Sequence, residues 1–220
     1  SQNWYTGAIE INAPRLRTFN FVELIGSICL KSVPRLEKLT LQHVKYHVGL
    51  GNFLESFAAL EYLHLNDLSL KFLIAGAGEL PPRLSFDLNC LKRLLIDVRL
   101  GELDAVLCTL FLIRSSQYLQ YLEIQVDGGD DVPELQCLEL EALSDVTFSH
   151  LKDVKLKGTV GSSRDMQLIK LLLAKSPVLE KMIIEPTKIH TGLPVKIPIV
   201  LNSFRRASPE VVVVYDYCGD

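Results

Sequence analysis

Tyr62, His64, Arg93 and Tyr121 are the residues of this sequence best suited to gripping another molecule. Tyrosine offers a large, rigid contact with a polar tip, and arginine a planar fork of donors. Both are enriched where protein interfaces concentrate their binding energy. Asn66, Asp97, Glu123, Lys155 and Lys157 recur at related spacings and extend the set. Other constellations carry less. His43 and His47 stand four apart, the spacing at which a helix aims two imidazoles at one metal ion, but no cysteine or carboxylate ligand accompanies them. The stretch DGGDD at 127–131 has carboxylates and glycines without the twelve-residue order of a calcium loop. Ser144, Asp145 and His150 lack the nucleophile elbow of a hydrolase, and the glycines at 76 and 78 lack the Lys-Ser/Thr of a phosphate loop. These residues point to binding without catalysis, with no metal and no cofactor.

The elements that must position such residues are written in leucine. The chain holds 40 leucines in 220 residues. A leucine followed three and five positions later by apolar residues occurs seven times: Leu16/Phe19/Phe21, Leu36/Leu39/Leu41, Leu60/Leu63/Leu65, Leu91/Leu94/Ile96, Leu119/Leu122/Ile124, Leu151/Val154/Leu156 and Leu179/Met182/Ile184. The leading leucines are 20, 24, 31, 28, 32 and 28 residues apart, close to the period of leucine-rich repeats. Alternation puts both later residues on one face of a strand. One strand per repeat, paired with the next, predicts an α/β leucine-rich-repeat solenoid with a curved parallel sheet, about seven repeats and a closing strand at Val211–Tyr215. Residues 101–114 and 162–175 have helical periodicity. Asp104 is the expected cap of the first, with Leu103, Val106, Leu107 and Leu110 on its buried face. Ser162 or Ser163 caps the second, with Met166, Ile169, Leu172 and Leu173 as its buried stripe and Pro177 as its stop. Single-turn and short helices are expected at 53–59 and 199–206, and excursions at 75–82 and 127–131.

In that arrangement the residues between and beside the apolar pairs face outward in three lanes. The first reads Thr18, Lys38, Tyr62, Arg93, Tyr121, Asp153, Lys181; the second Asn20, Thr40, His64, Leu95, Glu123, Lys155, Ile183; the third Val22, Gln42, Asn66, Asp97, Gln125, Lys157, Glu185. The nine partner-binding candidates named above all lie in these lanes, and Lys155, Lys157 and Lys181 make a basic patch near their end. A plain solvated sheet face is the competing reading.

Composition narrows the class. Hydrophobic residues are 48% and charged residues 22%, enough for a sizeable core and unlike a disordered chain. The net charge of −3 speaks against a nucleic-acid partner. No apolar run approaches the roughly 20 residues of a membrane span, and no signal peptide opens the sequence. Five cysteines without CxxC spacing read as reduced thiols, hence a cytoplasmic or nuclear protein. Only Trp4 and Tyr5 precede the first repeat as bulky residues, so the chain is expected to begin inside a longer array.

The stretch from Leu143 to Pro186, above all LLLAKSPVLEKMIIEP, resembles the FBD domain, and the tail NSFRRASPEVVVVY resembles its closing segment. With INAPRLRTFNF and VPRLEKLTL upstream, the chain is similar to plant F-box/FBD/leucine-rich-repeat proteins over nearly its whole length. The resemblance implies leucine-rich repeats over 1–141 and FBD-like repeats with a cap over 142–217. It implies the substrate-binding part of an SCF-type ubiquitin-ligase receptor, whose Skp-type adaptor would be met through an F-box absent from this chain. It carries over no catalytic residue. The alternatives are a small-molecule-sensing repeat receptor, with Arg93 and His64 converging on a cavity, and a leucine-rich-repeat scaffold outside ubiquitin chemistry.

Overall fold

The computed structural model describes residues 8–22, 27–43, 58–74, 87–99, 103–126, 146–187 and 196–216. Seven of its strands are the seven repeat motifs. They are β2 (Thr18–Phe21), β4 (Lys38–Leu41), β5 (Tyr62–Leu65), β6 (Arg93–Val98), β7 (Tyr121–Val126), β8 (Asp153–Thr159) and β9 (Lys181–Pro186), and β10 (Val212–Tyr215) follows them. All eight form one parallel sheet in chain order, β2-β4-β5-β6-β7-β8-β9-β10. The protein is thus a mixed α/β structure built on a large parallel sheet.

The register follows the apolar pattern. Phe19, Leu39, Leu63, Leu94, Leu122, Val154 and Met182 are successive cross-strand partners, and so are Phe21, Leu41, Leu65, Ile96, Ile124, Leu156 and Ile184. The alternating exposure of each strand shows both ladders on one face, where they form a single core with the helices. A one-residue slip would turn every one of these side chains to the opposite face, so burial itself fixes the pairing.

One turn recurs at the head of the strands. The amide of the motif leucine donates to the carbonyl three residues earlier: Leu16 to Ala13, Leu36 to Val33, Leu91 to Leu88, Leu119 to Ser116, Leu151 to Phe148 and Leu179 to Ser176, at 3.0–3.3 Å. The two central residues are exposed each time. Pro14, Pro34 and Pro177 take the first central position, where the fixed φ of proline suits a β-turn. The residue after each leucine then offers its carbonyl to two amides of the next strand. Arg17 O accepts from Glu37 and Lys38, and Glu37 O, Glu61 O, Lys92 O, Gln120 O and Lys152 O repeat the arrangement. Side chains at this position pair where signs allow, Arg17 with Glu37, Lys92 with Glu61 and Lys152 with Glu180.

What returns the chain differs along the sheet. At the front it is a strand: β1 (Ala8–Asn12) pairs in parallel with β3 (Ser27–Lys31) as a separate two-stranded sheet. Farther on it is helix, namely α1 (Asp67–Ile74), α2 (Leu103–Arg114) and α3 (Ser163–Lys175), with α4 (Lys196–Ser203) before β10. Neither β1, β3 nor α1 was expected from the sequence.

The predicted helices need four corrections. α2 starts at Leu103, so Asp104 lies inside its first turn and is not its cap. Leu110 of its expected face is buried, but so are all of Cys108 to Ile113, so burial there is not confined to that face; the side chains of Leu103, Val106 and Leu107 lie outside the described residues. α3 begins after Ser162, whose hydroxyl accepts from the Asp165 amide at 3.2 Å, and its stripe is Leu168, Ile169, Leu172 and Leu173 with Met166 at the margin. α4 starts three residues before the expected Ile199 and carries Pro198 in its first turn, where no intrahelical donor is lost. The expected features at 75–82 and 127–131, and nearly all of 53–59, lie outside the described residues. The β7–β8 pairing runs straight across the boundary drawn at 141 and 142. Among the described residues no helix is long and apolar enough to cross a membrane.

Candidate functional site

The face of the sheet opposite the core is mostly polar, with Leu95, Ile183 and Val212 as apolar members. Register makes lane neighbours of the predicted residues: Tyr62, Arg93 and Tyr121 in the first lane, His64, Leu95, Glu123 and Lys155 in the second, and Asp97, Gln125 and Lys157 in the third. Eight of the nine candidates face outward and are exposed or half-buried. Asn66 is the exception. It is 4% exposed, and its carboxamide oxygen accepts from the Ser69 amide at 3.1 Å while its carbonyl accepts from Leu70, so it caps α1. The Ser69 hydroxyl then donates to Leu41 O, tying that cap to the sheet.

A relay of contacts organises the middle of the face. Lys157 Nζ lies 2.5 Å from Glu123 Oε1, Tyr121 Oη donates to Glu123 Oε2 at 2.6 Å, and the Arg93 guanidinium stacks 4.0 Å from the Tyr121 ring centre. Burial acts to raise the Glu123 carboxyl, but the hydrogen bonds from Lys157 and Tyr121, with the nearby charge of Lys155, outweigh it and hold it below the usual carboxylate range. Desolvation and the bond to Glu123 push the Tyr121 phenol up, and desolvation does the same to Tyr62. Both tyrosines are therefore neutral donors at physiological pH.

Lys155 Nζ pairs with Glu185 Oε1 at 2.7 Å. The predicted basic patch of Lys155, Lys157 and Lys181 is thus largely neutralised, because two of its lysines reach diagonally to acids on adjacent strands. His64 Nε2 is 3.2 Å from the Gln42 amide nitrogen and 3.5 Å from Asp97 Oδ1. A neutral ring accepts from Gln42, and a protonated one donates to Asp97. Gln42 and Glu185 are functional neighbours that the candidate set omits, although the third lane names both. The usable signal was the diagonal between lanes on adjacent strands.

Compared with known proteins, the chain matches no family model, no curated protein and no solved structure. The chemistry of the face therefore rests on its own residues.

The remaining candidates are dispersed. His43 is exposed, with Nδ1 3.3 Å from Asn66 Nδ2, while His47, Ser144 and Asp145 lie outside the described residues. His150 Nδ1 sits 3.1 Å from Gln117 O, and its ring packs on Tyr118. No group of three metal-ligating side chains is gathered among the described residues. A cleft of about 370 Å³ opens among the turns, lined by Arg114, Tyr118, Phe148 and His150, well away in sequence from the Arg93 and His64 expected around a small molecule. Cys29 and Cys90 are exposed and Cys108 is buried, all as free thiols.

Proposed function

We propose that this chain is a leucine-rich-repeat solenoid, with a curved sheet and a closing strand, that selects target proteins for an SCF-type ubiquitin ligase. The carrying observation is the recurrence of one turn and one shared carbonyl from strand to strand, beneath an uninterrupted outward face of eight strands. Stacked repeats of this kind present extended surfaces to other proteins. The face carries tyrosine and arginine near its centre and a network of ion pairs beside them, the composition of an interface and not of a reaction centre. The FBD-like stretch at Leu143–Pro186 and the tail NSFRRASPEVVVVY support the ubiquitin assignment. The mechanism is placement: the sheet holds the target while an F-box, which no stretch of this sequence resembles, recruits the Skp-type adaptor. Free thiols at Cys29, Cys90 and Cys108 suit a cytoplasmic or nuclear setting.

Photo-crosslinking tests this reading. A photoreactive residue replaces Leu95 on the face in one variant and Pro177 on a turn in another, in plant-cell extract. Discrete proteins trapped from position 95 and not from 177, which gain ubiquitin when the chain is fused behind an F-box, are the expected result. Equal trapping at both positions, or trapped proteins that the fusion never modifies, would overturn it.

A further inference from the structure

The three outward lanes differ in how their charges are satisfied. In the second and third lanes the lysines are answered by acids, Lys155 by Glu185 and Lys157 by Glu123, and Asp97 lies 3.5 Å from His64 Nε2. The first lane is different. Lys38, Arg93 and Lys181 stand there against a single acid, Asp153, and none of the four makes an ion pair with another described residue. The three cations are exposed, and Tyr62 stands between Lys38 and Arg93 while Tyr121 stands beyond Arg93.

We propose that this first lane seats an acidic, extended segment of the partner protein, in which two carboxylates three residues apart meet Lys38 and Arg93 and the residues between them lie over Tyr62. The proposal rests on the protein-binding reading above and gives the partner a chemistry.

Spacing supports the fit. Lys38 and Arg93 are two strands apart, about 9–10 Å at the usual strand separation. An extended chain advances about 3.1–3.4 Å per residue, so carboxylates at i and i+3 match that distance. Arg93 is held for the task. Its guanidinium carbon sits 4.0 Å from the centre of the Tyr121 ring, and that ring is fixed by the bond from its hydroxyl to Glu123, which Lys157 anchors in turn. A guanidinium supported in this way meets a carboxylate in two parallel bonds. Asp153, next after Tyr121, repels acids there and sets the end of the segment. A phosphate is a poorer match, because phosphate sites gather several cations around one point, and here the cations are strung out one to a strand. A nucleic-acid backbone is poorer still. Its unbroken charge would cross Asp153, Glu123 and Glu185, on a chain of net charge −3.

Selection of displayed random twelve-residue peptides on the full chain tests the inference. Enriched peptides should carry Asp or Glu three positions apart. Binding of a fluorescein-labelled selected peptide should fall at least tenfold with Arg93→Gln and about threefold with Lys38→Gln. Arg93→Lys should retain part of the affinity, and Lys152→Gln on the turn should leave it unchanged. Unaltered melting temperatures of these surface variants would exclude a folding artefact. Enriched peptides without acids that still need the same face would overturn the acidic-segment inference and leave the protein-binding reading standing. Peptides indifferent to every face substitution, or no enrichment at all, would overturn both. Tighter binding of a single-stranded oligothymidylate than of the peptide, lost in Arg93→Gln, would overturn the inference in favour of nucleic acid.

Discussion

Residues 8–43 and residues 146–187 carry the chain from one sheet strand back to the head of the next by different means. The front uses a five-residue strand, β3, and its leading leucines are 20 residues apart; the rear uses the thirteen-residue α3 and needs 28. The two are equivalent rulers. Five residues at about 3.3 Å span about 17 Å, and thirteen at about 1.5 Å span about 20 Å. The difference between these two spacings is therefore a choice of return element and not an irregularity of the sheet. Burial does not follow that choice. Leu36, Leu39 and Leu41, which follow strand β3, are as fully buried as Leu179, Met182 and Ile184, which follow α3. Leu16, Phe19 and Phe21, in the first unit, are only half-buried. Neighbours on both sides, more than the kind of backing, close the core.

The largest expected effects test that lesson directly. Leu36→Ala and Leu179→Ala should each destabilise the fold by about 3–4 kcal/mol, the range for a fully buried leucine in a site that cannot collapse. Leu16→Ala should cost about 1 kcal/mol, since it is already partly hydrated. Urea unfolding followed by circular dichroism gives all three values. A cost at Leu36 less than half that at Leu179 would mean that a helix protects the ladder better than a strand does, and the comparison would fail.

The next effect separates the two regions by backbone. In β8 the register shifts between Lys157 and Thr159, and Gly158 at the bulge has φ +73°. A Cβ there would run into the Val126 carbonyl oxygen on β7 and lie 2.7 Å from Gln125 Nε2. Left-handed strain and a clash against backbone add together, so Gly158→Ala should cost about 2–3 kcal/mol. An alanine variant that melts with the parent would show that β8 and β7 can separate without loss.

Much of this was legible in the residues. The seven strand positions and the closing strand follow from period-two alternation, and the cap of α3 falls on Ser162, one of the two serines the sequence offers for it. Strands β1 and β3 were not seen, although Ile9/Ile11 and Ile28/Leu30 alternate. Two apolar residues in five signal little until their partner strand is known. Asn66 stood in an outward lane by spacing, but it is also the residue before α1, and capping the helix drew it inward. The lysine pairs were missed because lanes were read along rows, whereas Lys155 and Lys157 reach diagonally. The helices misplaced by a few residues carry their errors at their ends, where local signals are weakest.

Two carboxylates, Asp165 in the rear and Glu123 on the adjoining β7, give pH responses of opposite signs. Asp165 is 2% exposed. Its Oδ2 accepts from the amides of Val160 and Ser162 at 2.9 and 3.0 Å, while Oδ1 has no partner. Desolvation outweighs those bonds and raises its pKa above the ordinary value. Its contribution to stability is then full below about pH 4 and is lost as pH rises through the raised value. Glu123, bound to Lys157, is shifted down, so its contribution is present above about pH 4.5 and is lost as pH falls through the lowered value. Relative to the parent between about pH 3 and 7, Asp165→Asn should gain stability as pH rises above about 4, and Glu123→Gln should lose it as pH rises toward about 4.5 and stay level above that. Denaturant midpoints across that range decide the matter, and parallel curves for the two variants would remove the assigned causes. The front holds no buried carboxylate among its described residues and should add little to either slope.

The smallest expected effect returns to the front and to the same backbone region as Gly158. Strands β1 and β3 align with an offset of 19 residues, Ala8 opposite Ser27, yet the leucines that follow them are 20 apart. The extra residue is Ser32, whose φ of 49° lets the chain absorb it between β3 and the turn at Val33. A left-handed conformation costs an L-residue about 1–2 kcal/mol, and glycine's greater freedom when unfolded takes back about 0.5–1 kcal/mol. Ser32→Gly should therefore stabilise the protein by about 0.5 kcal/mol, raising the melting temperature by about 1–2 °C. The gain should appear although Ser32 is exposed, because it comes from the backbone and from no contact. A loss on this substitution would mean that the serine side chain holds the front turn, and that Ser32 and Gly158, both left-handed, are filled for unrelated reasons.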